Sequence, residues 1–290
     1  MAKHPIQDYY DKLLKDDKIW NSLGIEYNYT AGTPIQCAEQ LIIQGDGKST
    51  FSTIRSRMDL AGEEIGTFEG KVNKDKIRAL VKQLKDAGFG SLPPQEGRSG
   101  YPIHRLAISI NGIYAVSTFM TLPPEMEIVN DTLREIINIV REDKSRVLKL
   151  TLDTKKPSKG KPLDMTINFH NLGNEAFFIK NPVIMPKTRQ NVFAIEYGQL
   201  PEEKEGYTSP PIEWKQSQLE NLEAKKGEQD YIYLKPGDVY PISAPKAVII
   251  NEPGNYLMHL IYSNYELVQS VGGIPVLRGY AVSDELEFSL

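Results

Sequence analysis

The sequence predicts two domains in tandem: an α+β domain over residues 1–145, then an all-β sandwich over residues 146–290. The length of 290 residues corresponds to about two domains of roughly 150 residues each. In the first half, short alternating segments are interspersed with segments of helical periodicity. From Val147 onward, apolar residues recur with a period of two, which is typical of strands. We therefore predict the boundary near residues 143–147.

Helical periodicity marks three segments of the first half. Apolar residues in segment 6–20 recur at helical spacing, with acidic and lysine side chains between them. A second helix is predicted to begin after Asn73, which can cap its first amide groups, and to end at Gly88. A third begins at Pro123-Pro124, because proline fits the first turn of a helix.

Alternating segments in the same half predict strands paired in hairpins. Asp46-Gly47 joins one pair, and Asn111-Gly112 joins another through a type I′ turn, which needs positive φ angles at both residues. The predicted strands cover residues 24–31, 39–44, 49–54, 64–72, 103–110 and 113–119. This half is therefore expected to combine hairpins with packed helices.

Short alternating segments dominate the second half. They are separated by turn signals such as Pro236-Gly237 and Pro253-Gly254, and a weak helical pattern occurs near residues 216–226. The predicted strands cover residues 147–152, 163–170, 175–180, 192–197, 231–234, 247–250, 256–262 and 280–288. Strands at this spacing predict a β-sandwich.

Two segments of the second half carry a family resemblance. They are Leu234-Lys235-Pro236-Gly237-Asp238 and the run from Glu252 to Leu260, in which Pro253-Gly254 precedes Tyr256. This half resembles an immunoglobulin-like β-sandwich, in which a tyrosine at this position hydrogen-bonds back across the corner. The resemblance implies a fold and no activity, because such sandwiches have many binding roles. The cysteine pair of antibody domains is missing.

The first half is similar to small bacterial α+β domains of unknown function. The similar features are the hairpin at Gly45-Asp46-Gly47 and the helix end at Gly88-Phe89-Gly90-Ser91-Leu92. The similarity implies no catalytic residue.

Composition excludes several classes of function. The formal net charge of −4 provides no positive field that would attract nucleic acid or a membrane surface. No apolar segment is long enough to span a membrane, and the charged N-terminal segment does not resemble a signal peptide. The single cysteine, Cys37, permits no internal disulfide, which is typical of a reducing compartment. We therefore expect a cytoplasmic protein.

No catalytic, cofactor-binding or metal-binding motif is identified. The segment Gly45–Thr50 ends like a phosphate-binding loop, but Ile42 occupies the position where that motif requires glycine. Cys37 and His104 are the first candidates for a nucleophile and its base, yet neither lies in a recognisable motif. His170 and His259 lie on predicted strands, and a metal would need three converging ligands. We predict that Cys37 is a small buried apolar group without a catalytic partner in His104, and that His170 and His259 are structural or surface histidines.

An acidic segment, residues 199–230, is long for a connection between sandwich strands. Its charged residues are Glu202, Glu203, Glu205, Glu213, Glu220, Glu223, Glu228 and Asp230 against Lys204, Lys215, Lys225 and Lys226. A solvated insertion is one interpretation. The other is a partner-binding surface, in which aromatic anchors lie among acids. The predicted partner-binding residues are Glu202, Glu203, Glu205, Tyr207, Trp214, Glu220 and Glu223, with Ile274 in a separate loop.

These features favour a non-enzymatic, cytosolic protein-binding module. Its most concrete form is an immunity protein that binds and neutralises a bacterial toxin or effector, which we expect to be basic. One alternative is a hydrolase or another enzyme with an unrecognised site between the two domains. Another is a scaffolding subunit that assembles through edge strands of the sandwich.

Overall fold

The chain is mostly β-structure. The computed structural model describes residues 4–30, 38–54, 62–92, 102–155, 158–185, 191–201, 211–219, 222, 229–265 and 268–290. Strands account for 49% of the structure and helices for 19%, and the sheets are mainly antiparallel. None of the described helices is both long enough and apolar enough to cross a bilayer.

Contacts between residues divide the chain into two compact units. Unit 1 lies within residues 1–55 and 67–145, and unit 2 lies within residues 56–66 and 146–290. The two units differ in composition, because all three described α-helices belong to unit 1.

Unit 1 contains a sheet with the strand order β4-β3-β2-β1-β5-β6. The helices are α1 (Ile6–Lys15), α2 (Lys74–Asp86) and α3 (Glu127–Val140). The strands are β1 (Gly24–Thr30), β2 (Ala38–Gln44), β3 (Lys48–Thr53), β4 (Ile65–Lys71), β5 (Ile103–Ile110) and β6 (Ile113–Phe119). The first helix packs on the second, the second on the third, and the third on β3.

Local signals set the ends of α2 and the turn of the β5–β6 hairpin as predicted, whereas α3 begins at Glu127, after a short 3₁₀ helix over Pro124–Met126. The side chain of Asn73 accepts a hydrogen bond from the amide of Asp75 at 2.8 Å, which caps α2. Gly88 follows this helix with a φ of 68°. Asn111 and Gly112 have φ angles of 49° and 76°, as a type I′ turn requires. The β5–β6 hairpin is therefore confirmed.

The first helix is shorter than the sequence predicts. It ends at Lys15, and a 3₁₀ helix follows over Asp17–Ser22. The break occurs at Asp16, whose backbone is extended and whose carboxylate accepts a hydrogen bond from the amide of Lys18 at 2.9 Å. An aspartate that caps the next segment cannot also continue the previous helix, so the prediction of one helix over residues 6–20 was wrong.

Unit 2 contains the remaining strands. They are β7 (Lys144–Thr154), β8 (Pro162–Asn171), β9 (Phe177–Lys180), β10 (Val192–Gln199), β11 (Lys215–Gln218), β12 (Tyr231–Leu234), β13 (Val239–Ile249), β14 (Asn255–Asn264), β15 (Ser270–Val271), β16 (Ile274–Pro275), β17 (Gly279–Val282) and β18 (Leu286–Ser289). The order β13-β8-β7 forms one group, and β11-β10-β14-β17 forms another, with β18 also paired to β14. β9 pairs with β12, and β15 pairs with β16.

One apolar cluster of unit 2 takes side chains from both groups of strands. Phe169 of β8 meets Tyr262 of β14 edge to face, with ring centroids 5.3 Å apart. Tyr262 Oη also donates a hydrogen bond to the carbonyl oxygen of Lys180 at 3.0 Å. Because its polar end is satisfied, this tyrosine can remain buried in the apolar cluster.

Three predictions for unit 2, one for a weak helix and two for strands, differ from the structure. Residues 215–218 form β11, whereas the sequence indicated a weak helix near residues 216–226. β13 begins earlier in the chain than predicted. Pro241 and Pro245 argue against a strand in the sequence, but in the described structure β13 pairs only with β8, and an edge strand tolerates proline. The predicted strand 280–288 is two strands, interrupted where the Ser283 hydroxyl donates to the carbonyl oxygen of Asp284.

Candidate protein-binding site

The structure tests only part of the predicted binding surface. Trp214 and Ile274 are described. The other predicted residues, Glu202, Glu203, Glu205, Tyr207, Glu220 and Glu223, lie outside the described residues. The site is therefore built from Trp214 and the strands that hold it.

Trp214 is an exposed aromatic side chain immediately before β11. It is 40% exposed, and its ring packs on the imidazole of His259, with centroids 4.7 Å apart and planes inclined at 47°. His259 comes from β14 and is only 7% exposed. An exposed indole therefore rests on a buried ring, which restricts its motion while leaving much of its surface open to solvent.

A row of polar side chains crosses three strands beneath this indole. In the strand register, Glu196 of β10 lies opposite both Gln216 of β11 and His259 of β14. His259 Nε2 lies 3.2 Å from Glu196 Oε2, and Gln216 Nε2 donates to Glu196 Oε1 at 3.3 Å. Because an ionised carboxylate only accepts hydrogen bonds, Nε2 is the donor in this contact. The two carboxylate oxygens of Glu196 therefore hold His259 and Gln216 in place beneath the indole.

The other ring nitrogen of His259 has no hydrogen-bond partner in the described structure. Nδ1 is buried, and a buried polar atom without a partner costs free energy. The position of this imidazole is therefore determined by Glu196 and by the contact with Trp214.

A glycine brings the segment before β11 onto the sheet. A Cβ atom on Gly198 would overlap Ile212 Cγ2 and would lie 3.0 Å from the carbonyl oxygen of Glu213. Residues 212 and 213 therefore lie directly on the backbone of β10. This close approach fixes the main chain that carries Trp214, so the indole is anchored at both its backbone and its ring.

A small cavity is lined in part by residues of β11 and β13. Its volume is about 190 Å³, and its lining residues are Ser217, Gln218, Leu219, Leu222, Ala244, Pro245, Lys246 and Ala247. Lys246 has a left-handed backbone with a φ of 53°, and its amide donates to Asp164 Oδ1 at 3.0 Å. Cavities that hold small-molecule ligands are usually about 300 Å³ or larger, so this one is small for such a ligand.

Ile274 lies on a different part of unit 2. It begins β16 and pairs with Val271 of β15 across the Gly272-Gly273 turn. This two-stranded hairpin is separate from the sheet that carries Trp214. Trp214 and Ile274 therefore belong to different strand groups, and the candidate site is based on Trp214.

A second polar cluster occupies unit 1 around His104. His104 Nδ1 lies 2.9 Å from the hydroxyl of Tyr27, and Arg134 Nη1 pairs with Glu39 Oε2 at 2.6 Å. Glu39, Tyr29 and His104 are adjacent in the register of β2, β1 and β5. The guanidinium of Arg134 lies 5.3 Å from the ring centroid of Tyr29 and 5.9 Å from that of Tyr27.

The surroundings of this cluster keep the His104 imidazole neutral and the Tyr27 hydroxyl protonated. Burial, and then the charge of Arg134, lower the pKa of His104, so its imidazole is neutral at neutral pH. Burial raises the pKa of Tyr27 to about 12, so this hydroxyl keeps its proton. Cys37, the predicted nucleophile candidate, lies outside the described residues. In the described structure His104 hydrogen-bonds a tyrosine and not a carboxylate that would activate it.

The remaining candidate motifs have structural explanations. His170 Nε2 lies 2.8 Å from the hydroxyl of Thr151 on the neighbouring strand. The Gly45–Thr50 segment is a hairpin turn in which Asp46 accepts from the amide of Lys48 at 2.9 Å and Gly47 has a φ of 93°. Among the residues that the structure describes, no three histidine, cysteine, aspartate or glutamate side chains cluster in a way that could hold a metal ion.

Comparisons with known proteins find no match among protein-family models, proteins of curated function or solved structures. The function must therefore be argued from the geometry of the chain itself. The features that carry this argument are the anchored indole of Trp214 and the polar row beneath it.

The sequence did not identify Glu196, and it indicated His259 only as a structural or surface histidine. Glu196 and His259 are 63 positions apart in the chain and meet only because β10 pairs with β14. A signal was present in part, since both lie within predicted strands, but the strand pairing and register were unknown. The polar row formed by Glu196, His259 and Gln216 could therefore be identified only from the structure.

Proposed function

We propose that the chain is a protein-binding module whose contact surface is centred on Trp214. The observation that carries this proposal is an indole that is 40% exposed and yet held on His259 by a hydrogen-bonded row. Tryptophan is enriched among the residues that contribute most to protein interfaces. A ring that is already ordered loses little conformational freedom on binding, which favours affinity.

We also propose that unit 2 is an immunoglobulin-like β-sandwich. Its antiparallel strands share one apolar cluster, which supports a two-layer arrangement. Tyr256 supports it further, because its hydroxyl bonds back to the carbonyl oxygen of Glu252 at 3.1 Å, as the tyrosine corner of such sandwiches does. A rigid sandwich that presents a side chain at a strand end is a common scaffold for recognition.

The charge around Trp214 favours a basic partner. Residues 199–230 surround this tryptophan in sequence and carry eight acidic residues against four lysines. Opposite charge at the edge of an interface speeds encounter and selects partners. The most concrete partner of this kind is a basic bacterial toxin or effector, so we propose that the chain is a cytoplasmic immunity protein. The single cysteine fits a reducing compartment.

Binding to a candidate partner tests the proposal. A basic toxin encoded beside this chain in its native genome would be titrated with wild-type protein, Trp214→Ala and Tyr233→Ala. Tyr233 is a matched control, because it is also 40% exposed but lies on β12. We expect Trp214→Ala to weaken binding about 30-fold, since central tryptophans commonly contribute about 2 kcal/mol, and Tyr233→Ala to leave it within about twofold.

Salt provides a second measurement in the same experiment. We expect the association rate to fall as ionic strength rises, because charges at an interface edge act mainly on encounter. Equal affinities for wild type and Trp214→Ala would exclude Trp214 as the centre of the surface. Failure of the wild type to bind or inhibit any basic toxin encoded beside it would contradict the immunity function.

A further inference from the structure

The β6 strand of unit 1 has an unprotected edge. In the described structure it pairs only with β5, so its other edge carries unpaired backbone groups. Its sequence, Ile-Tyr-Ala-Val-Ser-Thr-Phe over residues 113–119, contains no charge, no proline and no glycine. Tyr114 is 53% exposed and Val116 is 38% exposed. Exposed edges of this composition readily pair with another strand.

The edge of β13 in unit 2 shows how such an edge can be protected. This strand carries Pro241 and Pro245, which have no N–H to donate, and its register shifts between Ala244 and Val248. Prolines, bulges and an exposed lysine such as Lys246 all oppose pairing with another chain. Because β6 has none of these features, its free edge can form backbone hydrogen bonds with another strand, whereas the edge of β13 opposes such pairing.

The hairpin determines which groups of β6 point outward. Ile110 and Ile113 flank a two-residue turn, so they exchange both hydrogen bonds of that position. Hydrogen-bonded positions alternate along an antiparallel pair, so residues 115, 117 and 119 also bond to β5. The amide and carbonyl groups of Tyr114, Val116 and Thr118 therefore point to the free edge.

We propose that β6 pairs antiparallel with β6 of a second copy of this chain, with Val116 on the two-fold axis. The three outward residues are evenly spaced about Val116, so this register places Val116 opposite its own copy and Tyr114 opposite Thr118 of the partner subunit. In this register each outward amide and carbonyl group of Tyr114, Val116 and Thr118 forms a hydrogen bond with the partner strand. No charged residue lies on the strand, so self-pairing brings no like charges together.

The neighbouring face accommodates this pairing. Ala107 of β5 lies beside Val116 in the register, and Tyr114 leans along the same face toward Arg105, whose Nη2 donates to its hydroxyl at 3.4 Å. The centre of the proposed interface is therefore small and apolar, with aromatic and polar groups at its ends. A short strand pairing of this kind forms a weak, concentration-dependent dimer.

Sedimentation of the full chain tests the proposal. We expect self-association in the range of about 1 to 100 µM, as a small interface predicts. Val116→Pro removes an amide that points to the free edge and leaves the hydrogen bonds to β5 intact, so it should weaken association at least about tenfold while the fold persists. Ile42→Lys, on the same sheet at a 37% exposed position of β2, should leave association unchanged.

A charge swap keeps the test decisive even if the proline variant fails to fold. Val116→Lys and Val116→Glu should each be monomeric, because like charges would face each other across the axis, whereas an equal mixture should form a heterodimer. A monomeric wild type, or a Val116→Lys variant that associates like the wild type, would overturn the proposal. Loss of toxin binding by Val116→Lys in a monomeric chain would assign the edge to that partner instead.

This inference is independent of the proposed function. Trp214→Ala should leave the dimer unchanged, because Trp214 belongs to unit 2. Failure of toxin binding would therefore not affect the self-association result, and a monomeric chain would leave the binding result intact.

Discussion

The hydroxyl of Tyr256 donates a hydrogen bond to the carbonyl oxygen of Glu252, four residues earlier, at 3.1 Å. The bond closes the Pro253-Gly254 turn that leads into β14. The ring of Tyr256 stacks on Phe288 of β18, with centroids 5.8 Å apart and planes inclined at 17°. One side chain therefore fixes both the turn and the neighbouring strand.

Tyr256→Phe removes this hydrogen bond and keeps the ring. We expect the free energy of unfolding to fall by about 1 kcal/mol, which is typical of one intramolecular hydrogen bond. Urea denaturation followed by circular dichroism measures this change. Tyr233→Phe is the control and should change stability by less than about 0.5 kcal/mol, because this ring is 40% exposed. Equal effects of the two variants would argue against a stabilising corner.

The contrast between Tyr256 and β11 shows what the sequence can predict. The Asn111-Gly112 turn and the Asn73 cap each depend on a few consecutive residues, so local rules identified them, whereas the backbone hydrogen bond of Tyr256 was expected from a family resemblance. β11 is a strand because residues 215–218 pair with β10. No local sequence pattern predicts this pairing. Propensity gives way to tertiary pairing in such short segments.

The candidate site divides in the same way. Trp214 could be singled out from composition, because an aromatic residue lies among acids. Its support by His259 depends on the pairing of β10 with β14, which was unknown from the sequence. The cluster around His104 was missed for the same reason, since Arg134 reaches it from α3.

Arg134→Met tests the ion pair of unit 1. Glu39 is only 7% exposed, so loss of the guanidinium removes a charged hydrogen-bond partner from a buried carboxylate. We expect a loss of about 2 to 3 kcal/mol in the free energy of unfolding, toward the low end because the side chain of Arg134 is a third exposed.

The control for this prediction is the ion pair between Lys76 and Glu135, in which the lysine side chain is 33% exposed and the carboxylate 59% exposed. Lys76→Met should change stability by less than about 1 kcal/mol, as for most surface pairs. Replacing both partners by Glu39→Leu and Arg134→Met should recover part of the loss, because the buried carboxylate is then removed together with the guanidinium. A double variant less stable than Arg134→Met would contradict this explanation.

His104 makes the stability of the chain depend on pH. Burial, and then Arg134, lower its pKa in the folded state, so the unfolded chain binds more protons near pH 6. The stabilisation is fully present above the unfolded pKa of about 6.5 and is lost as the pH falls through the folded pKa.

His104→Gln should therefore reduce the slope of unfolding free energy against pH between about pH 7.5 and pH 5.5. Urea titrations at several pH values measure this slope. Part of it should remain, because burial followed by the charge of Lys149 also lowers the pKa of His170. Identical slopes for wild type and His104→Gln would contradict the prediction.

Gly45→Ala tests the structural interpretation of the Gly45–Thr50 turn. An alanine Cβ at this position would overlap the carbonyl oxygen of Trp20, so the backbone would have to move. We expect a loss of about 3 kcal/mol. Gly112→Ala, at a φ of 76° with open space around it, should lose only about 1 kcal/mol. The wild type should show no shift in melting temperature with ATP and Mg²⁺, whereas a phosphate-binding loop would give one.

His259→Ala tests the support of Trp214 without any partner. The chain has two tryptophans, and Trp20 is 1% exposed, so collisional quenching of fluorescence by acrylamide reports mainly on Trp214. Removal of the imidazole takes away the surface on which the indole packs at 4.7 Å. We expect the quenching constant to rise, because the freed indole becomes more exposed to solvent.

The carboxylate partner gives this measurement a graded series. Glu196→Gln keeps the size of the side chain and weakens the hydrogen bond to His259, so its quenching constant should lie between those of wild type and His259→Ala. Trp214→Phe identifies the contribution of Trp20, which should quench little in every variant. If His259→Ala quenched like the wild type, the indole would be held by its backbone alone, and the polar row would have no part in presenting it.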